Sequence, residues 1–248
     1  MEVNNYMEKQ PILLQVAMEV ECQEILKHLT NLEEVEINNY KFYKGTLNNY
    51  PIIISLSKVG LIHASSSLTI ALKEFNPKLI INTGIAGATD KNVHLGDIII
   101  GESCININSY RTSKLKAGEG SNPNNWELLT FLSGETDRFV EEKATPILVE
   151  LAKNTSGYGQ IYVGRIGSGD VWNNEYDRIT YLNEKYHILC EDMESIATYT
   201  IANHQHIDVI SIKMISDNSL IGEEYNRDIG KNLEQYIINY LKEIINQQ

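Results

Sequence analysis

Acidic side chains gather where the apolar runs of this sequence end. Glu19 and Glu21 follow ILLQVAM, Glu191, Asp192 and Glu194 follow HILC, and Ser216-Asp217 closes VISIKMI. Two more apolar runs end in small or polar residues, Gly84 and Gly87 after LIINT and Ser168 and Asp170 after VGRIG. In an open α/β sheet, ligands bind outside the carboxyl ends of the strands, so side chains at these ends are candidates for one shared site. Carboxyl groups placed there can give or take protons from a bound molecule. The glycine segment has neither the lysine of a Walker loop nor the GxGxxG spacing of a dinucleotide site, so it is not read as a phosphate cradle.

The elements that must position these residues alternate between strand and helix from Pro11 onward, the pattern of an α/β fold. ILLQVA reads as a buried strand, and Glu19 to Leu29 reads as an amphipathic helix because Val20, Ile25, Leu26 and Leu29 recur near helical spacing. KFYKGTL and IIISLS flank Asn48-Asn49-Tyr50-Pro51 as a hairpin. Leu61 to Phe75 is helical and stops at Asn76-Pro77, since a residue before proline avoids the α region. LIINTG and GDIIIGES are strands, and Asn106 to Asp137 is a long loop carrying a short helix. Helical spacing resumes from Thr136 to Leu151; QIYVGRIGSGD is a strand entering a turn, and HILCEDMESIATYTIANH is strand then helix. HIDVISIKMISDNS is a strand, and Tyr225 to Ile245 is a closing helix with Ile229, Leu233, Ile237, Leu241 and Ile245 on one stripe. The expectation is one domain over residues 1–248, with residues 1–10 as a flexible tail.

Composition narrows the function classes. Lys+Arg is 21 against Asp+Glu 33, a formal net charge of −12, the wrong sign for holding nucleic acid by counterion release. No apolar run approaches the ~20 residues that span a bilayer, so no membrane partner is expected. Cys22, Cys104 and Cys190 are an odd number without metal-ligand spacing, which predicts a reducing, cytoplasmic setting.

INTGIAGATDKNVHLGDIIIGES resembles the glycine-rich signature of the nucleoside phosphorylase and nucleosidase superfamily, and GSGDVWN, CEDMESIA and IKMISDNS resemble three further motifs of it in the same order. The resemblance spans nearly the whole chain, and Asp192-Met193-Glu194 with Ser216-Asp217 places it nearest the methylthioadenosine/S-adenosylhomocysteine nucleosidase branch. It implies a three-layer α/β/α fold around a twisted mixed sheet, assembled as a homodimer, that needs no cofactor and no metal. The implied activity is hydrolysis of a purine nucleoside, with methylthioadenosine or S-adenosylhomocysteine first in line. N-glycosidic cleavage passes through an oxocarbenium-like sugar, so it needs an acid for the base, negative charge near the sugar and an activated water.

Carried over by position, the resemblance makes Asp217 the general acid that protonates the purine at N7. It makes Glu194 the ligand of the ribose hydroxyls, Met193 the apolar floor beneath the sugar, and Glu21 the carboxylate that orients water. Trp172 falls where the family stacks an aromatic ring on the purine, Asn173 where backbone groups read its edge, and Ser216 beside the acid. Val59 and Tyr225 are contacts toward the 5′ substituent. Two positions depart from the nearest relatives: Ile85 replaces a serine that helps hold the water, and Lys213 replaces an arginine, a point charge in place of a planar fork. Related phosphorylases bind phosphate with arginines where this chain has Glu21 and Asn82, and a carboxylate within ~4–6 Å of phosphate is repulsive, which favours water as nucleophile. The alternatives are a phosphorylase whose phosphate site uses Lys213 or Arg165, and a nucleoside-binding protein with little catalysis. Inward-turned Asn173 or Asn174 would admit a 6-oxopurine as well as adenine.

Other residues have simpler readings. Glu19 and Glu191 are read as acids favoured by a helix N-terminus, Asp170 as a structural acid bonding amides in its own turn, and Cys190 as a small buried residue.

Overall fold

The computed structural model describes residues 9–134 and 138–247. Its elements in chain order are β1 (Ile12–Val16), α1 (Gln23–His28), β2 (Thr30–Ile37), β3 (Tyr40–Leu47), β4 (Tyr50–Leu56), α2 (Leu61–Phe75), β5 (Leu79–Ala88) and β6 (Ile98–Asn106). They continue with β7 (Tyr110–Arg111), β8 (Glu127–Leu128), β9 (Glu141–Lys143), α3 (Pro146–Asn154), β10 (Ile161–Ser168) and α4 (Tyr176–Tyr186). The chain closes with β11 (Ile188–Asp192), α5 (Ser195–His204), β12 (Asp208–Asp217) and α6 (Gly230–Asn246).

The main sheet runs β11-β10-β6-β12-β5-β1-β4-β3-β2, with β9 on β6. β12 is parallel to β5 and antiparallel to β6, so the sheet is mixed. It also curls on itself: the end of β11 pairs with the end of β5, Cys190 opposite Ala88 and Glu191 opposite Gly87. That closure brings the ends of β5, β11 and β12 together around one rim, where Gly87, Glu191 and Asp217 meet.

The central strands are almost wholly apolar, and helices cover both faces, as a parallel core requires. α2 packs on α5 over one face, while α1 and α3 pack against α6 over the other. A row of polar residues ties the first layer down. Gln15, Asn82 and Ser211 are register partners on β1, β5 and β12 and are fully buried. Gln15 Nε2 donates to the Ala64 carbonyl and to Ser67 Oγ of α2; Thr198 of α5 donates to Gln15 Oε1, and Ser195 of α5 donates to Asn82 Oδ1. Buried polar groups must be paired, so these bonds fix where α5 begins and hence where Glu194, immediately before it, points.

Several expected boundaries move. Glu19 to Leu29 is a 3-10 turn, Glu19–Glu21, followed by the short α1, because Cys22 breaks helical dihedrals at φ −136°, ψ 7°. The 106–137 segment holds the two-stranded β7–β8 ribbon and two 3-10 turns in place of a short α-helix, with the Tyr110 and Trp126 rings stacked at 4.7 Å. The helix expected from Thr136 begins only at Pro146, whose ring suits a first helical position; β9 precedes it, and Thr136 and Asp137 lie outside the described residues. Residues 1–8 of the expected tail also lie outside them.

Candidate active site

A cavity of about 270 Å³ opens at the rim where β1, β5, β11 and β12 end, at the small end of the roughly 300–1,000 Å³ of small-molecule sites. Its wall includes Glu21, Glu191, Asp192, Glu194 and Asp217, and among its lining residues there is no lysine, arginine or histidine. All five acids are at least nine-tenths buried.

Glu21 is held by backbone. Its Oε2 accepts from the Ala17 and Met18 amides at 3.0 and 2.9 Å, and Oε1 accepts from Ile85 at 3.4 Å. A Cβ on Gly84 would lie 2.7 Å from Oε1, so the glycine of LIINTG is what lets this carboxyl sit against β5. Burial pushes the Glu21 carboxyl up in pKa, and Lys213 and the amides pull against that.

Glu194 accepts from the Gly60 amide at 2.9 Å, at the turn that opens α2 with φ 103°. Burial raises its pKa to about 7 against the pull of Lys213, with Asp192 adding to the rise. Behind these two acids Lys213 Nζ lies 2.8 Å from Asp192, both side chains fully buried. Burial disfavours charge on each, yet the pairing wins: Lys213 is held above and Asp192 below its ordinary range, and the Ser195 hydroxyl and amide also donate to Asp192.

Asp217 ends β12. Burial raises its pKa, and the Ser216 hydroxyl, donating to Oδ1 at 2.7 Å, partly offsets that. Glu191 stands beside it, raised to about 7, by burial first and by the Asp217 charge in smaller part. Two buried carboxyls with raised pKa values, Glu191 to about 7, are therefore neighbours on the wall of one cavity, an arrangement suited to acid–base chemistry.

Met193, Ile85, Ser216, Val59, Trp172 and Tyr225 also line the cavity. The Trp172 and Tyr225 rings lie 5.4 Å apart, tilted at 56°, each about half exposed. Two sequence-predicted residues do not reach the wall. Lys213 is walled off behind Asp192, and Asn173 is turned to Glu191, its backbone N–H donating to Oε1 at 2.9 Å and its Nδ2 to Oε2 at 2.6 Å. Asn174 does not line the cavity either, and Arg165 is bound by Glu141, so neither Arg165 nor Lys213 presents a charge to it.

Glu191 is the residue that sequence reasoning set aside. It belongs to no helix N-terminus: it is the fourth residue of β11, and the closure of β11 on β5 turns it inward. Its only local signal was its place in the acidic run Glu191-Asp192-Met193-Glu194. Glu19, in contrast, is largely exposed, accepts from the Tyr43 hydroxyl and has Lys41 nearby. Asp170 is structural, but its Oδ1 accepts from the Leu61 amide at the start of α2 at 2.7 Å, not from its own turn.

Known proteins resemble this chain in sequence and in fold. The family model described as "Phosphorylase superfamily" matches residues 11–245. A 5′-methylthioadenosine/S-adenosylhomocysteine nucleosidase of Staphylococcus haemolyticus is 29% identical over 203 residues, 81% of this chain and 83% of its own. One from Oceanobacillus iheyensis is 24% identical over 92% of this chain and 97% of its own. Among solved structures, the nucleosidase of that name from S. pneumoniae with a transition-state inhibitor superposes with a TM-score of 0.76 at 20% identity, covering 94% of this chain and 99% of its own. The futalosine hydrolase of Helicobacter pylori gives 0.76 at 22% identity, covering 96% and 98%. These superpositions carry the fold.

Proposed function

The chain belongs to the phosphorylase superfamily, and on that premise we propose that it hydrolyses the N-glycosidic bond of a purine nucleoside, methylthioadenosine or S-adenosylhomocysteine, to adenine and a 5-substituted ribose. The observation that carries this reading is a cavity walled by five carboxylic acids with no cationic side chain in its lining. Such a wall stabilises a positively charged sugar and repels a phosphate dianion, so the nucleophile is water.

Asp217 is the acid. Burial raises its pKa and so favours the protonated carboxyl, and delivery of that proton to N7 lets the base leave without negative charge. Glu194 holds the ribose hydroxyls above Met193, and Glu21, fixed by three amides, takes a proton from the attacking water. Lys213 acts through Asp192, keeping that acid ionised and in place. Trp172 covers one face of the purine, while Val59 and Tyr225 at the mouth meet the 5′ substituent. Ile85 offers the water no side-chain hydrogen bond, so Glu21 alone among these side chains orients it.

The homodimer and the cytoplasmic setting belong to this proposal; sedimentation of the purified chain tests the first. The reaction is tested by base release from methylthioadenosine, S-adenosylhomocysteine, adenosine and inosine, each with and without phosphate. Free sugar at equal rates in both conditions is expected. Sugar 1-phosphate formed only with phosphate would make the chain a phosphorylase, and no base from any substrate would leave a binding protein.

A further inference from the structure

The charged side chains that line the cavity are acids, but a cation stands at its rim. Val59, Trp172 and Tyr225 line the cavity and are 44%, 59% and 46% exposed, so they form the edge where a bound molecule meets solvent. Shortly after Tyr225, Arg227 opens a 3-10 turn, Arg227–Ile229, whose position is tied to the site: the Asn226 N–H donates to the carbonyl of Ser216, the neighbour of Asp217, at 2.7 Å. From that anchor at the end of β12 the Arg227 side chain reaches the residues that follow β1. Its Nη2 donates to Met18 Sδ at 3.5 Å, and Met18 is another lining residue. Burial raises the pKa of the Tyr225 hydroxyl, and the Arg227 charge is near enough to pull against that rise.

A thioether contact uses little of a guanidinium. Arginine has five N–H donors, and thioether sulfur is a weak acceptor. Asp228, next in the chain, pairs with Lys231 at 3.4 Å, and Glu223 is held by His94 and the Leu95 amide. Among the described residues no carboxylate forms an ion pair with Arg227. Lys58, beside Val59, is turned elsewhere, its ammonium 5.3 Å from the centre of the Tyr40 ring. In a chain of net charge −12 with five acids in this cavity, an anionic group on a bound nucleoside is repelled unless a fixed cation meets it. A guanidinium with free donors suits a carboxylate best, because its planar fork can bind both oxygens.

We propose that Arg227 selects the 5′ substituent, favouring nucleosides whose substituent ends in a carboxylate, as in S-adenosylhomocysteine, over those whose substituent ends in an uncharged group, as in methylthioadenosine. The inference rests on the reading that places Val59 and Tyr225 at the 5′ substituent, and it ranks the two substrates left level there. Arg227 does not line the cavity, so it meets only what extends past Met18 and Tyr225 and leaves the acids around the reacting bond without a cation in their midst. It is a specificity residue and carries no proton in the reaction.

The test is calorimetric titration of a matched pair, the 7-deaza analogue of S-adenosylhomocysteine and the carboxamide of that analogue, into the wild-type chain and its Arg227 variants at a pH of about 7. Carbon in place of N7 leaves the acid nothing to protonate, so both compounds serve as unreactive ligands. The wild type is expected to bind the carboxylate about three- to fivefold more tightly at low salt, the scale of an exposed charge pair of good geometry. That preference should shrink at about 1 M salt, where the screening length is ~3 Å. In Arg227→Gln it should fall at least about twofold, and in Arg227→Glu it should reverse. A fall of less than about twofold in Arg227→Gln, or no binding of either compound to the wild type, overturns the proposal. Binding needs no turnover. A preference that depends on Arg227 in a chain that releases no base from either natural substrate would therefore sink the hydrolysis alone, and turnover of both substrates with an unmoved preference would sink this inference alone.

Discussion

The two halves of the cavity use the same residue types for opposite ends. On one side Glu21, Asp192 and Glu194 surround Lys213, whose ammonium is 2.8 Å from Asp192. On the other, Asp217 and Glu191 stand together, among the described residues, with no cation against Asp217 and with Arg178 alone pulling on Glu191. Burial raises carboxyl pKa values on both sides, but only the first holds a fixed positive charge that keeps one acid, Asp192, ionised. The difference teaches that the count of acids says little; what each can do depends on whether a buried cation stands behind it. The half around Lys213 is suited to holding negative charge against a developing cation, and the half at Asp217 is suited to keeping a proton and giving it away.

Removing the proposed proton donor breaks the comparison most sharply. Asp217→Asn is expected to lower kcat by about 10²–10⁴ while nucleoside binding, followed by calorimetry with an unreactive analogue, is largely retained. Turnover at the wild-type rate would move the acid to another residue, with Glu191 the first to examine.

Removing the cation attacks the other half. Lys213→Met leaves Asp192 buried and unpaired, which costs about 3–5 kcal/mol. At roughly 2–4 °C per kcal/mol for a chain of this size, thermal unfolding should shift down by about 6–20 °C. Lys213→Arg, which keeps the charge, should lose much less. Equal loss in both would mean that the site tolerates no change of shape and that charge is not what Lys213 supplies.

How much of this was legible beforehand depended on what each segment's physics wrote into its residues. α2 reads directly from Leu61 to Phe75 because its apolar period is clean and Asn76-Pro77 stops it. β2 was missed although Asn38-Asn39 carries the same turn signal as Asn48-Asn49, both pairs at positive φ. The strand TNLEEVEI is exposed for most of its length, so no hydrophobic alternation marks it. α4 was missed for a related reason: part of its buried face is Arg178, whose guanidinium donates to the Pro123 and Trp126 carbonyls, and a charged residue hides the apolar stripe. Most of the candidate residues fall on one cavity because they end strands of one sheet. Glu191 escaped because its orientation follows from the pairing of β11 with β5, a contact between residues far apart in sequence that no local pattern records.

The two carboxyls at about pKa 7, one in each half, make stability itself depend on pH. Glu191 and Glu194 ionise near 4.3 in an unfolded chain and near 7 when folded. Between those values the folded state binds more protons, so stability falls as pH rises through that window and is flat above it. Thermal midpoints should therefore rise as pH is lowered from about 8 to about 5, by an amount worth up to about 5 kcal/mol for the two groups together. Asp192 acts in the other direction, but its depressed pKa confines the loss to pH values below its ordinary range, near 3.9. Glu191→Gln and Glu194→Gln should each flatten part of the rise. A midpoint that falls steadily over the same interval would show both acids ionised in the folded chain.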